Sequence, residues 1–341
     1  MNLSHRPTVL VTGFAGFIGT NLVHELSPLF RVVGLDNFGV EAYAKQYPQR
    51  LSSLGAAMPQ SDLPFTGDVY AANNYYKADV CDVVAIAKIV AEEKPEVIIH
   101  LAALTGVRQS FNQPAAYIAA NITGTVNIFE AAKQFGVKHL LYASSSSVYG
   151  KNEQVELLEN SLSHSPLSIY GATKLADELM AHTYYNAYGL SSTGFRFFTV
   201  YGPWNRPDMA AYLFLEKMKN HQPIELFNDG AMHRDFTYVG DVVTALRLYV
   251  EASLKGVIKV EGSEVYNVGG GTEVALRQFV ALVEKVSGYK ASITPAAHQT
   301  GDMTTTRANA DRLEQLLHYK PNTPLEVGLP KLVAWFEQYH I

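Results

Sequence analysis

The chain has 341 residues, 48% hydrophobic and 17% charged, with a net charge of −5. That is enough for one large α/β domain with an appended region, or for two domains, and it leaves no basic field to recruit nucleic acid or an anionic membrane. Cys81 is the single cysteine, which excludes an intrachain disulfide framework and a cysteine-rich metal site.

No run approaches the ~20 apolar residues of a membrane span. The start, MNLSHRPTVLVTG, enters a strand almost at once, with no signal-peptide stretch. A cytoplasmic protein without bound metal is expected. Val9–Thr12 is a β-branched run that predicts a strand, followed by a glycine turn and an amphipathic helical pattern over Asn21–Leu26; Val32–Asp36 reads as a second strand. Glu41–Tyr75 is less regular, and within it Leu51–Asn74 mixes Ser, Gly, Pro, Asn and apolar residues and reads as a surface excursion. Helical patterns at Val83–Glu93 and Pro114–Phe135 then alternate with buried strands at Val97–His100 and His139–Ala143.

Such alternation implies right-handed crossovers and a parallel sheet covered on both faces. The expected fold class is α/β, a Rossmann-like doubly wound parallel sheet with a smaller C-terminal α/β substrate-binding region. Beyond about Phe198 the alternation loosens, with punctuation at Gly202-Pro203, Arg206-Pro207 and Gly269–Gly271. The expected division is therefore a dinucleotide-binding domain over 1–198, carrying a Tyr/Lys helix, and a region over 199–341 from which some segments return to the main domain.

"VLVTGFAGFIGTNLV" sets Gly13, Gly16 and Gly19 between a strand and a helix. The first glycine permits the tight turn, the second lets backbone approach a pyrophosphate, and the third lets the helix pack close to the sheet. The diphosphate then lies on the helix N-terminus, where free N–H groups and the dipole favour anions. Asp36 ends the next strand 23 residues after Gly13. A carboxylate there accepts hydrogen bonds from the adenosine ribose and repels a 2′-phosphate, and Asn37 follows it rather than Arg or Lys, so NAD is favoured over NADP. The other reading of Asp36 is a plain strand-end turn residue.

The spacing, Gly-x-x-Gly-x-x-Gly in "TGFAGFIG", resembles the extended short-chain dehydrogenase/reductase superfamily. "ADV" at Ala78–Val80 and "HLAA" at His100–Ala103 extend the likeness. The resemblance implies that Gly13, Gly16, Phe17, Ile18, Gly19, Asp36 and Asn37 hold the cofactor, with Asp79 and Val80 by the adenine. It places Leu101, Ala102 and Ala103 along the diphosphate and nicotinamide ribose, and Asn121 and Ser144 on the cofactor side. His100 reads as a packed strand-end residue rather than a base.

In "SIYGATKLADELMAHTYY", Tyr170 and Lys174 lie four apart and share a helix face. A lysine beside a tyrosine favours the phenolate, which near neutral pH can act as general base toward a sugar hydroxyl. Standing 25 residues after Ser145, the pair resembles the superfamily's Ser-Tyr-Lys triad. That likeness explains the serines of "ASSSSVYG": Ser145 takes the triad position, and Ser146 and Ser147 point toward the sugar. In nucleotide-sugar 4,6-dehydratases those two positions are Asp-Glu, and in UDP-glucuronate decarboxylases the second is Glu. A serine hydroxyl is too weak an acid or base for elimination, so an oxidised sugar can only take its hydride back, which implies epimerisation.

"GFRFFTVYGPWNRPDMA", Gly194–Ala210, closely resembles the UDP-glucuronate 4-epimerases. The resemblance assigns Thr199 and Arg206 to the C6 carboxylate of a UDP-sugar, Arg206 offering a planar fork; a surface arginine beside a proline is the alternative. "HRDFTYVGD" from His233 implies that Arg234 binds the uridine diphosphate, while Asp235 and Asp241 read as local structural acids. "QTGDMTTTRANADRL" gives Asp302 as a nucleotide-ribose ligand, and Arg307, where relatives usually have an aromatic, as a further candidate. Pro114–Phe135 and Tyr170–Tyr188 resemble the helix pair through which extended members form a two-fold dimer. The function implied is NAD-dependent conversion of UDP-glucuronate to UDP-galacturonate through a 4-keto intermediate. A UDP-glucose or UDP-N-acetylhexosamine 4-epimerase and a non-catalytic NAD-binding regulator are the alternatives.

Overall fold

The apolar run TVLVT forms the central strand β1 (Thr8–Thr12), buried from Val9 onward. The structure is a computed structural model that describes residues 6–61, 63–151, 154, 156–161, 165–227, 230–296 and 305–339. Among them seven strands form one parallel sheet: β1, β2 (Arg31–Asp36), β3 (Asn74–Lys77), β4 (Val97–His100), β5 (His139–Ser145), β6 (Ser192–Phe197) and β7 (Ser263–Val268). Their order is β7-β6-β5-β4-β1-β2-β3. The chain winds outward from β1 through β3, then returns to place β4 on the other side of β1. The reversal between β1 and β4 opens a crevice beyond the strands' carboxyl ends, the usual place for a ligand in such a sheet.

Side chains alternate across the sheet. Val9 and Val11 join one apolar core with Leu22 and Val23 of the Phe17–Leu26 helix and Val242 and Leu246 of the Val239–Leu254 helix. Leu10, Val33 and Ile98 join the other, under the Val83–Glu93 and Gly124–Gln134 helices. Local side-chain and glycine signals bound the helices. Asp82 caps Val83–Glu93 by accepting from the backbone N–H of Val84 and Ala85. Ser168 caps the long Ile169–Tyr188 helix, and Gly189, at φ +69°, stops it. Among the described residues no helix is long and apolar enough to cross a membrane.

Two expectations need correction. The Pro114–Phe135 pattern is helical throughout but not uniformly α: a short turn at Pro114–Tyr117 passes into a π-helical stretch, Ile118–Thr123, before Gly124–Gln134. Leu51–Asn74 is not a surface excursion over its whole length. Leu51 and Leu54 are fully buried, Asn73 is buried with its Oδ1 accepting from Val32 N at 2.9 Å, and Asn74 opens the edge strand β3. The segment's exposed large apolar side chains are Met58, Leu63 and Val69.

After β6 the chain builds small sheets, one of them pairing Thr199–Tyr201, His233–Tyr238 and Glu273–Ala275. Two buried acids knit this part, as the sequence suggests. Asp235 accepts from the backbone N–H of Gly270, Gly271 and Ala308 at 2.9–3.0 Å. Asp241 accepts from Thr323 N at 2.8 Å and Thr323 Oγ1 at 2.7 Å.

Candidate active site

A cleft of about 790 Å³ runs from the glycine turn to the small sheets. Gly13 sits at φ +71°, and a Cβ there would meet Ala102 N at 2.8 Å. Gly19 is required for close approach of the helix to the turn leaving β1: a Cβ there would come within 2.1 Å of Gly13 O. The helix that follows starts at Gly16 without a side-chain cap, leaving its first N–H groups to face the cleft. Phe17, Ile18, Leu101, Ala102, Ala103, Asp79 and Val80 line the same cleft. This cradle, in which side chains are missing where backbone must approach a ligand, fits a dinucleotide.

Asp36 lines the cleft and is nearly fully buried, accepting from Phe38 N at 2.8 Å and Ala15 N at 3.2 Å. Burial pushes its carboxyl up to about 6 despite those bonds. Asn37 donates to Asp79 Oδ2 at 2.8 Å, so two carboxylates flank this end and disfavour a 2′-phosphate. Asp36→Ala should therefore weaken NAD binding and narrow the preference for NAD over NADP in a binding titration. The sign with pH follows from the acceptor role: the ionised carboxylate takes ribose hydroxyl protons and the protonated one takes them less well. NAD affinity should fall as the pH drops through about 6. An equally steep fall in Asp36→Asn would exclude Asp36 as its source.

β5 carries Ser144 and Ser145 to the cleft edge, and the next residues turn sharply through Ser146–Tyr149. Ser145 caps this turn, its Oγ accepting from Ser147 N at 3.1 Å. Ser145, Ser146 and Ser147 line the cleft together with Tyr170 and Lys174 from the opposing helix. The residues resembling the triad thus border one cleft. Ser144 also borders the cleft, but its hydroxyl donates to Glu178 Oε1 at 2.5 Å, and Glu178 forms a bidentate pair with the buried Arg196. Asn121, in the π-helical stretch, is fully buried. It clamps Leu104 N and O and donates to Thr173 Oγ1 at 3.0 Å, tying a cofactor wall to the catalytic helix. His100 is packed between Thr12 and Thr125 hydroxyls, and burial pushes it down to about 3, so it is neutral.

Thr199 and Arg206 both line the cleft. Arg206 is already engaged. Its Nε and Nη2 hold Asp208 at 3.0 and 2.6 Å, and its Nη1 contacts the Thr105 hydroxyl. Burial disfavours its charge, but Tyr43, Asp208 and Tyr170 outweigh this and hold the guanidinium above its ordinary range. Arg234 lines the cleft with Nη1 donating to His233 O at 2.9 Å. Asp302 lies outside the described residues. Arg307 sits on a short strand with Glu156, 3.7 Å away, and does not border the cleft.

A model of the NAD-dependent epimerase/dehydratase family matches residues 9–269. The chain belongs to that family. It is 38% identical to a probable UDP-glucuronate 4-epimerase of Rhizobium meliloti, over 96% of each chain. It also resembles two solved structures. UDP-glucuronic acid 4-epimerase of Bacillus cereus, in complex with UDP-glucuronic acid and NAD, superposes with a TM-score of 0.87 at 30% identity, covering 98% of this chain and 100% of that one. UDP-glucose 4-epimerase of Thermotoga maritima, with UDP-glucose, gives 0.83 at 28% identity, covering 97% and 99%.

Sequence reasoning missed how the loop before Arg206 is held. Arg50, fully buried on the Tyr47–Ser53 helix, donates to Ala15 O in the glycine turn and to Trp204 O, both at 2.8 Å. Gln46 donates to Asn205 O at 3.2 Å, so one short helix ties the cofactor turn to the residues before Arg206. Thr105 and Tyr43 complete the pocket around that arginine. Thr105 lies two residues after "HLAA", with Leu104 between them, and that nearness is the one usable signal.

Proposed function

We propose that the chain is an NAD-dependent UDP-glucuronate 4-epimerase, interconverting UDP-glucuronate and UDP-galacturonate. The observation that carries the reading is Arg206 at the sugar end of a cleft whose catalytic strand follows Ser145 with Ser146 and Ser147 in place of acids. Gly13, Gly16, Asp36, Asp79, Leu101 and Lys174 would hold NAD, which when bound accepts hydride from C4 and returns it. Tyr170 takes the 4-OH proton and later gives it back, with Ser145 bonding the same oxygen. Lys174 holds the ribose end and favours the Tyr170 phenolate. Ser146 and Ser147 cannot drive elimination, so the 4-keto sugar turns its other face and is reduced with C4 inverted.

The C6 carboxylate displaces Asp208 from the Arg206 fork, and Thr199 helps to hold it. A β-keto acid loses CO₂ when the breaking bond overlaps the carbonyl π system. Restraint of the carboxylate near the carbonyl plane opposes that loss. Arg234 and Asp302 bind the nucleotide. Residues 1–198 form the NAD-binding domain, and 199–341 chiefly the nucleotide-sugar region. The place of work is the cytoplasm.

The deciding experiment incubates purified protein with UDP-glucuronate, UDP-glucose and UDP-N-acetylglucosamine and identifies the product sugars. UDP-galacturonate as the dominant product supports the reading. Preferential turnover of a neutral sugar would replace it with the UDP-glucose or UDP-N-acetylhexosamine alternative, for which the Thermotoga maritima neighbour is the precedent. A bound NAD without turnover of any sugar would point to a regulator.

An isologous homodimer belongs to the same proposal. Ile118, Leu179 and Tyr188, exposed at 49, 61 and 59% on the two helices assigned to the interface, support it. Light scattering at micromolar concentration should give twice the chain mass, and a monomer would refute it.

A further inference from the structure

Lys174 is a buried cation. Its side chain is 2% exposed, and its Nζ lies 3.1 Å from Oδ2 of Asp177, which is 1% exposed. Three residues apart on the Ile169–Tyr188 helix, the two share a face. Such a pair ordinarily stands in water and contributes little. Here both groups are buried, and beyond Lys174 the carboxylate of Asp177 has only the Thr125 hydroxyl near it, which itself donates to Asn121 O. A carboxylate so placed costs stability, and burial pushes it up to about 6 although Lys174 pulls the other way.

The remaining charged and titratable neighbours are accounted for. On the same helix Glu178 is committed to Arg196 of β6. From β4, His100 is neutral. From β5, Tyr142 is buried and kept protonated by burial and by the nearby Glu178 and Asp177. Tyr117 stands edge-on to Tyr170 with ring centroids 6.4 Å apart, and Arg206 from the sugar-end loop shares its field with Tyr170. Among the described residues Asp177 is the anion in contact with Lys174.

We propose that Asp177 is a positioning residue that tethers Lys174 and, by offsetting its charge, sets the pH at which Tyr170 can take the sugar's proton. The inference rests on the reading of Tyr170 as general base. An unopposed Lys174 would hold the phenolate down to lower pH but make it a weaker base. Asp177 trades some phenolate for proton affinity, which a residue that must both take and return a proton needs.

The test is the pH profile of log kcat/KM for NAD-loaded wild type and Asp177→Asn, using whichever of UDP-glucuronate, UDP-glucose or UDP-N-acetylglucosamine the wild type turns over. Asp177→Asn should move the acid limb down by at least about half a pH unit, since removing a neighbouring anion favours the phenolate. Asp177→Glu should restore the limb. A limb that stays in place in Asp177→Asn overturns the proposal, whatever happens to the melting temperature. Should the Asn variant not hold NAD, Asp177→Ser removes the same charge in less space; failure of both neutral variants to hold NAD makes Asp177 a folding residue and overturns the proposal too. Wild type inactive on UDP-glucuronate, UDP-glucose and UDP-N-acetylglucosamine would instead overturn the epimerase reading.

Discussion

Tyr170→Phe should retain NAD and UDP-sugar binding while losing turnover by at least about a hundredfold, the smaller end of what a positioned general base contributes. The ring is preserved, so its edge-on contact with Tyr117 survives. The helix is held from its other residues: Ser168 caps it, Asn121 bonds Thr173, and Glu178 pairs with Arg196. What is lost is the oxygen proposed to accept the proton. Single-turnover measurement on the NAD-loaded protein separates the outcomes, because failure to reduce bound NAD in the presence of sugar places the defect in the chemical step. Activity close to wild type would remove Tyr170 as the proton acceptor.

Arg206→Ala should depress kcat/KM for UDP-glucuronate by at least about tenfold, the equivalent of ~1.4 kcal/mol. Truncating one member of a desolvated charge pair often costs more, because its partner is left unpaired. Here Asp208 loses its partner too, but its side chain is 43% exposed and water can take over. Residual activity on UDP-glucose should fall much less, since that sugar offers no carboxylate. The fraction of turnovers ending in CO₂ and a UDP-pentose should rise as the carboxylate escapes restraint. Equal losses on the two substrates would place Arg206 on the diphosphate that both share.

Short-range physics made much of this protein legible in its sequence. The turn at Gly13 needs a positive φ, and the packing at Gly19 needs a missing Cβ; both demands act within a few residues and mark the sequence directly. The Val83–Glu93 helix was readable from its pattern, and the structure adds the reason for its start: the Asp82 side chain bonds backbone two and three residues on. The alternation of strands with helices implied the parallel sheet, and Asp36, Ser145, Tyr170 and Lys174 fell where that sheet and its helices bring them to one cleft.

Tertiary structure alone decided the rest. β3 was invisible because four residues at a sheet edge carry too little periodicity to stand out from an irregular segment. Arg50 reads as an ordinary surface cation until the glycine turn and Trp204 close over it, 35 and 154 residues away in sequence. Asp208 and Asp177 lie only two and three residues from their cations, yet nearness in sequence does not determine what such a pair does. That depends on how much water the surrounding chain removes, because desolvation separates a weak surface pair from one able to govern charge in an active site.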